Sequence, residues 1–200
     1  MTKTFDFKYI RTISLYIFFS FLLIALVIVF NEELYGIFGE ENYTSIHLIL
    51  ELLTAIVTMS IAAQLWFTTR FNLVNRDIYL GAIFLCIAML TIFHMISFKG
   101  MPFFIMDSSP YQATWFYMIT RLLLAFGILA VMVTKVKKSS LTTRNVVYGV
   151  SVLLTIGCIL MIYLPNAILP SLVNEGIGTT TLKNVLQYIC LAVQIVLILF

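Results

Sequence analysis

Six apolar runs, each close to the length of a membrane-spanning helix, limit what this chain can fold into more than any other feature. A hydrocarbon core about 30 Å thick needs roughly 20 consecutive apolar residues in a helix. The runs cover residues 9–30, 45–68, 78–97, 111–134, 145–164 and 184–200. With 62% apolar and only 10% charged residues, the chain has more apolar surface than a soluble domain of this length buries. The sequence therefore predicts an all-α integral membrane protein, a bundle of six transmembrane helices.

The basic residues concentrate on one side of this predicted bundle. Nine of the twelve Lys and Arg lie before the first span or in the second and fourth connections: Lys3, Lys8, Arg11, Arg70, Arg76, Lys135, Lys137, Lys138 and Arg144. The opposite connections hold two Lys and six acidic residues: Lys99, Lys183, Glu32, Glu33, Glu40, Glu41, Asp107 and Glu175. Because connections rich in Lys and Arg stay in the cytoplasm, we expect a cytoplasmic N-terminus. The chain has no basic patch with interleaved aromatics, and we expect no nucleic-acid partner.

The last apolar run reaches the final residue, Phe200, with no polar stretch after it. We therefore expect residues 1–200 to be the membrane module of a longer polypeptide, interrupted within its sixth span, with an output domain after residue 200. The module contains no Ser/His/Asp arrangement, phosphate-binding loop or H-E-x-x-H motif. Catalysis within these residues is not expected, and any enzymatic activity of the whole protein would belong to the output domain.

Polar residues inside the spans are the best candidates for a functional site, because each is costly in hydrocarbon and usually needs a partner or a water-filled cavity. They follow helical spacing on three adjacent spans: His47, Glu51, Thr54 and Thr58 on the second, Thr91 and His94 on the third, Thr114, Tyr117 and Arg121 on the fourth. Given the predicted orientation, all three polar faces lie in the outer halves of their spans. Together they predict a pocket that opens outward.

Two of these residues carry charges that the hydrocarbon would have to accommodate. The simplest hypothesis is that Glu51 and Arg121 neutralise each other across the second and fourth spans. Such a pair could be a structural latch, a ligand-binding element or a proton sensor. His47 and His94 lie about one turn inside the predicted boundary, where an imidazole can also simply reach headgroups or water.

Two other classes of function fit the same residues. His47 and His94 lie at similar depth on oppositely directed helices, the arrangement that a bis-histidine haem needs, and Glu51 completes a His/His/carboxylate set for a transition metal. A small transporter or channel component would want polar residues along its whole path. The inner halves of the third and fourth spans are nearly free of them, which favours a sensing pocket.

The same residues stand in a pattern that resembles a known family. The pattern comprises His47-x-x-Leu50-Glu51, Trp66, Phe93-His94-x-x-Ser97-Phe98-Lys99-Gly100-Met101, Trp115 and Arg121. Over most of the chain these elements resemble the third type of the bacterial membrane-associated sensor domains, with one departure at Thr91, where an acidic residue often stands. That family forms N-terminal input modules of histidine kinases, diguanylate cyclases and related proteins. The resemblance implies signal transduction in the bacterial cytoplasmic membrane.

Pocket and resemblance together define a set of candidate sensing residues. The set is His47, Glu51, Thr54, Thr91, His94, Lys99, Trp115, Tyr117 and Arg121. We expect an unknown small ligand or ion to change the packing of the second to fourth spans and thereby shift the sixth span. The expected partners are the bilayer, a fused cytosolic output domain and a second copy of the full-length receptor.

Overall fold

Helices dominate the structure, which is a computed structural model. It describes residues 7–71, 73–102, 107–164, 169–174 and 176–199, without the side chains of residues 7–10, 12, 13, 40 and 41. In chain order the elements are α1 (Phe7–Val29), α2 (Asn31–Phe38), α3 (Glu40–Thr68), α4 (Asn75–Ile96), α5 (Pro110–Val133), α6 (Leu141–Tyr163), β1 (Val173–Asn174), β2 (Gly178–Thr179) and α7 (Thr181–Leu199). Lys3, Glu175 and Phe200 lie outside the described residues, as do the side chains of Lys8, Glu40 and Glu41.

The predicted all-α membrane fold is confirmed, and each of the six apolar runs falls on a helix. Five helices, α3 to α7, are long and apolar enough to cross a membrane. The pair formed by α1 and α2 passes the same test together, although the two helices are bent by 83° relative to each other. The described part of the chain therefore has five candidate spans, or six if the bent pair forms one.

Two connections contain regular structure that the sequence analysis treated as loops. The first holds α2, whose first turn carries Glu32 and Glu33, and carboxylates there interact favourably with the helix dipole. The second holds the antiparallel β1–β2 hairpin. Gly176 in its turn and Gly178 at the start of β2 have φ values of +78° and +114°, a region that residues with a Cβ rarely adopt.

The chain divides into two compact units, residues 1–47 and 48–200. The N-terminal unit comprises α1, α2 and the first turns of α3. Helix α2 has no buried residue, and α1 presents large apolar side chains such as Phe21 and Ile28 at its surface. Apolar side chains at the surface of a helix of this length are the expected face of a membrane segment.

Helix α4 is central to the C-terminal unit. Half of its apolar stretch is buried, and it packs along α5 and α6, while α5 also packs against α7. The main core cluster consists of Leu90, Trp115, Phe116, Met118, Ile162 and Leu172. Leu172 comes from the connection after α6, which is fixed to α5 because Trp115 Nε1 donates to Pro170 O at 3.0 Å. This core lies at the end of the unit where α3 carries Glu51 and α4 carries His94.

The other end of the C-terminal unit, where α3 and α5 end and α4 and α6 begin, is braced by polar side chains. We call it the basic end after Arg70, Arg76, Lys135, Lys137, Lys138 and Arg144. Arg76 donates to Thr134 O at 2.7 Å and also to Met132 O, which satisfies carbonyls at the C-terminus of α5. Asn75 donates to Lys135 O at 2.9 Å and accepts from Lys137 N at 2.8 Å. Arg76, which the sequence analysis used only to predict membrane orientation, therefore also joins the ends of two helices.

We predict that Gly81→Ala destabilises the C-terminal unit. A Cβ at Gly81 would clash with Tyr148 Oη and lie 3.0 Å from Leu65 Cβ, so the Tyr148 ring of α6 or the backbone of α4 would have to shift. Overpacking of this kind costs about 1–3 kcal/mol. Gly157→Ala is the matched control, because a Cβ there meets nothing within 4 Å and should slightly stabilise α6. Thermal unfolding in detergent measures both, and equal midpoints would contradict the described packing.

Candidate functional site

A small polar pocket lies between α3, α4 and α5 in the C-terminal unit. It has a volume of about 100 Å³ and is lined by Glu51, Thr54, Thr58, Ile87, Thr91, His94, Tyr117, Thr120, Arg121 and Leu124. We call this set the polar pocket. Each helix contributes residues spaced three or four apart, because that spacing returns side chains to the same helix face. The structure thus brings together Glu51, Thr54, Thr91, His94, Tyr117 and Arg121 of the predicted set.

The closest charged contact in the polar pocket joins Glu51 to His94. His94 Nε2 lies 3.8 Å from Glu51 Oε1, and the two side chains are 8% and 19% exposed. This is an ion-pair distance that is longer than a hydrogen bond. A proton on Nε2 would make the ring a cation facing the carboxylate, and burial would strengthen their attraction relative to water.

The other ring nitrogen of His94 is fixed by the backbone. His94 Nδ1 lies 2.8 Å from Ala113 O. A carbonyl oxygen only accepts hydrogen bonds, so Nδ1 carries a proton and donates it. The atom that can gain or lose a proton, or ligate an ion, is therefore Nε2, which faces Glu51. Helix α5 thus sets both the orientation and the tautomer of the His94 ring.

Arg121 occupies a different position from the one predicted. Its guanidinium carbon lies 4.9 Å from the centroid of the Tyr117 ring, and that ring lies 5.8 Å from the His94 ring. Among the described residues no ion pair joins Glu51 to Arg121, so the predicted direct pairing is wrong. The reason is that Tyr117, one turn earlier on α5, holds the guanidinium by a cation–π contact. The order of contacts is Glu51, His94, Tyr117, Arg121.

Threonine hydroxyls supply further hydrogen-bonding groups to the polar pocket. Thr54 donates to Leu50 O at 2.9 Å and Thr58 donates to Thr54 O at 2.8 Å, both within α3. Thr120 donates to Tyr117 O at 2.7 Å within α5. Each hydroxyl proton is thus used by its own helix, and the oxygen keeps acceptor capacity. The pocket combines acceptors around Glu51 with one permanent cation, Arg121.

Two members of the predicted set lie away from the polar pocket, and a third belongs to the N-terminal unit. His47 is four residues before Glu51 on the continuous helix α3 and belongs to the N-terminal unit. Trp115 is buried in the core and anchors the connection after α6, and Lys99 lies exposed in the connection after α4. Thr120 lines the polar pocket but was missed, although its spacing of three from Tyr117 is a helical signal.

The volume of the polar pocket distinguishes between haem and a single metal ion, the two cofactors that the sequence analysis considered. A haem does not fit, because a pocket of about 100 Å³ is well below even the ~300 Å³ of a typical small-molecule site. A single metal ion does fit, since a carboxylate and an imidazole nitrogen are ordinary ligands. The contact between His94 Nδ1 and Ala113 O is also the kind that orients a metal-binding histidine.

We predict that Glu51 is energetically coupled to His94 more strongly than to Arg121. His94→Asn retains an amide that can donate to Ala113 O but removes Nε2, so with Glu51→Gln it forms a double-mutant cycle specific to the contact. The coupling energy expected for direct neighbours is about 0.5–3 kcal/mol. The cycle of Glu51→Gln with Arg121→Gln should give a smaller value. Chemical unfolding in detergent measures both, and a larger coupling to Arg121 would contradict the geometry.

One of three comparisons with known proteins found a match, and it agrees with the membrane fold. The family model MASE3, described as a membrane-associated sensor domain, matches residues 38–200, which is more than half of the chain. Searches of curated proteins and of solved structures found no match. The matched region contains the whole C-terminal unit and all residues of the polar pocket. The chain is therefore a multi-pass membrane protein that belongs to the MASE3 family of membrane-associated sensor domains.

Proposed function

We propose that this chain is the input module of a bacterial receptor and that the polar pocket is its input site. Membership of a sensor-domain family supports the sensory role. In the proposal, the N-terminus is cytoplasmic, a histidine kinase or diguanylate cyclase domain follows residue 200, and the full-length receptor acts as a homodimer in the cytoplasmic membrane. The set of contacts that leads from Glu51 to Arg121 supports the choice of site.

The observation that carries the proposal is the Glu51–His94 contact between α3 and α4. The buried residues of α3 in the C-terminal unit form one stripe, with Ala55, Thr58 and Ala62 between Glu51 and Trp66. At the basic end, α3 is held by Trp66, whose ring centroid lies 4.7 Å from that of Tyr148. At the pocket end it is held through Glu51 and His94 at 3.8 Å. The second contact depends on charge and is the one that a cue can change.

In the proposed mechanism, the cue alters the Glu51–His94 contact and thereby the position of the pocket end of α3. A ligand shifts such an equilibrium only if it binds one packing more tightly than the other. A cation at Glu51 would compete with His94, whereas an anion at Arg121 would act through Tyr117 on the His94 ring. The volume of about 100 Å³ restricts the cue to an ion or a molecule of a few atoms.

A transition-metal ion is the second candidate cue, favoured by the tautomer of His94. With Nδ1 committed to Ala113 O, a neutral His94 ring presents the lone pair of Nε2 towards Glu51. When bound, the metal would supply a positive charge that takes the place of the proton on Nε2. The chain's own residues would then orient the imidazole and exclude bulk water.

The test is the activity of the full-length receptor. We expect Glu51→Gln and His94→Asn each to shift basal output by about fivefold or more in the same direction, the usual lower range of allosteric coupling. The double variant should resemble either single variant, because both remove the same contact. Glu33→Gln, which removes an exposed carboxylate of α2 outside the pocket, is the matched control and should leave output unchanged. Unchanged output in a folded double variant would rule out the polar pocket as the input site.

A further inference from the structure

A second cavity, unrelated to the polar pocket, lies at the basic half of the C-terminal unit. It is a groove of about 380 Å³ between α3, α4 and α6, lined by Met59, Ala62, Ala63, Trp66, Leu85, Asn145, Tyr148, Gly149 and Val152. This volume falls within the ~300–1,000 Å³ of typical small-molecule sites. Apart from Asn145 and the Tyr148 hydroxyl, the lining side chains are apolar or carry only the indole nitrogen of Trp66. The occupant must therefore be largely apolar.

The open space beside Gly149 is not explained by close helix packing. Small residues in membrane helices usually allow two backbones to approach. Gly81 in α4 is of that kind, because a Cβ there would clash with Tyr148 Oη. At Gly149 in α6, by contrast, a Cβ would meet nothing within 4 Å. The glycine faces space that a larger side chain would reduce, so the width of the groove depends on it.

The groove ends beside a buried cation. Arg144 is 6% exposed, and its guanidinium carbon lies 4.1 Å from the centroid of the Trp66 ring. It donates to Asn145 Oδ1 at 3.1 Å and to Trp66 O at 3.4 Å. No carboxylate forms an ion pair with it among the described residues. Its charge is therefore moderated by an aromatic ring, an amide and a helix-end carbonyl, none of which carries a full negative charge.

More positive charge surrounds the same end of the unit. Lys135, Lys137 and Lys138 are exposed in the connection between α5 and α6, just before Arg144. Basic residues at this level of a membrane protein attract anionic headgroups, and basic pockets between helices bind them specifically. An apolar groove that runs from a basic mouth towards the membrane centre is complementary in shape and polarity to an acidic phospholipid.

We propose that the groove binds an anionic phospholipid of the adjoining leaflet. One acyl chain lies between α3 and α6 along Ala62, Ala63, Gly149 and Val152, and the headgroup lies at the mouth near Asn145 and the basic residues. The ring of Trp66 forms one wall of the groove and also contacts Tyr148. A bound lipid would therefore support the contact that holds α3 to α6 at the basic end. The site involves none of the residues of the polar pocket.

Quenching of Trp66 fluorescence by brominated lipids tests this proposal. The chain has two tryptophans, so Trp115→Phe leaves Trp66 as the single reporter. The protein is placed in phosphatidylcholine nanodiscs that contain a small fraction of phosphatidylglycerol or phosphatidylcholine with dibrominated acyl chains. We expect phosphatidylglycerol to quench Trp66 at least about twice as strongly, because the basic mouth enriches the acidic headgroup. Trp66→Phe, which leaves Trp115 in the opposite half, should show no such preference.

Two variants of α6 separate the groove from the general lipid surface. Gly149→Leu places a side chain in the groove and should abolish the preference for the acidic lipid. Gly157→Leu, at a position that also has open space around its Cβ but does not line the groove, should retain it. Ala63→Leu fills the groove from α3 and replaces Gly149→Leu if that variant does not fold. Equal quenching by the two lipids, or a preference that survives filling of the groove, would overturn the proposal.

Discussion

A carboxylate in the apolar part of a membrane protein must be neutralised or hydrogen-bonded. For Glu51, that partner has to come from the helices that line the polar pocket. An isolated charge there costs several kcal/mol. The ion-pair partner of Glu51 is His94 on α4, at 3.8 Å, and His94 is in turn fixed by Ala113 O of α5. One residue on α3 is thus linked through His94 to both α4 and α5 at this end of the unit. Tyr117 and Arg121 extend the same arrangement along α5.

The two ends of the C-terminal unit are held by different kinds of interaction. The basic end is braced by hydrogen bonds between side chains and helix-terminal carbonyls, such as those of Asn75 and Arg76, and by the ring contact of Trp66 with Tyr148. These contacts do not depend on a group that gains or loses a proton near neutral pH. At the pocket end, by contrast, α3 is held by the contact of Glu51 with the imidazole of His94. In the proposed function, the pocket end is the part that responds to the cue and the basic end is the part that stays fixed.

The sequence predicts the spans well because length and apolarity alone decide whether a helix can cross a membrane. It also predicts that Glu51, His94, Tyr117 and Arg121 share one region, since helical spacing determines which residues share a face. The choice of His94 rather than Arg121 as the partner of Glu51 was beyond it, because partner choice depends on the rotation of whole helices. The β1–β2 hairpin was missed because its strands are two residues long and only two glycines, Gly176 and Gly178, mark it in the sequence. The structural roles of Arg76 and Arg144 were missed because the sequence analysis explained basic residues near span ends by membrane orientation alone.

The most direct test of this account measures distances at both ends of α3. Spin labels at Leu53 and Leu160 report on the pocket end, and labels at Phe67 and Val133 report on the basic end; all four positions are exposed, so labels fit there. Double electron–electron resonance in nanodiscs, with the native cysteines replaced, then compares the parent with Glu51→Gln. The account predicts a shifted or broadened distance between Leu53 and Leu160 and an unchanged distance between Phe67 and Val133. Unchanged distances at both ends would show that the Glu51–His94 contact does not control the position of α3.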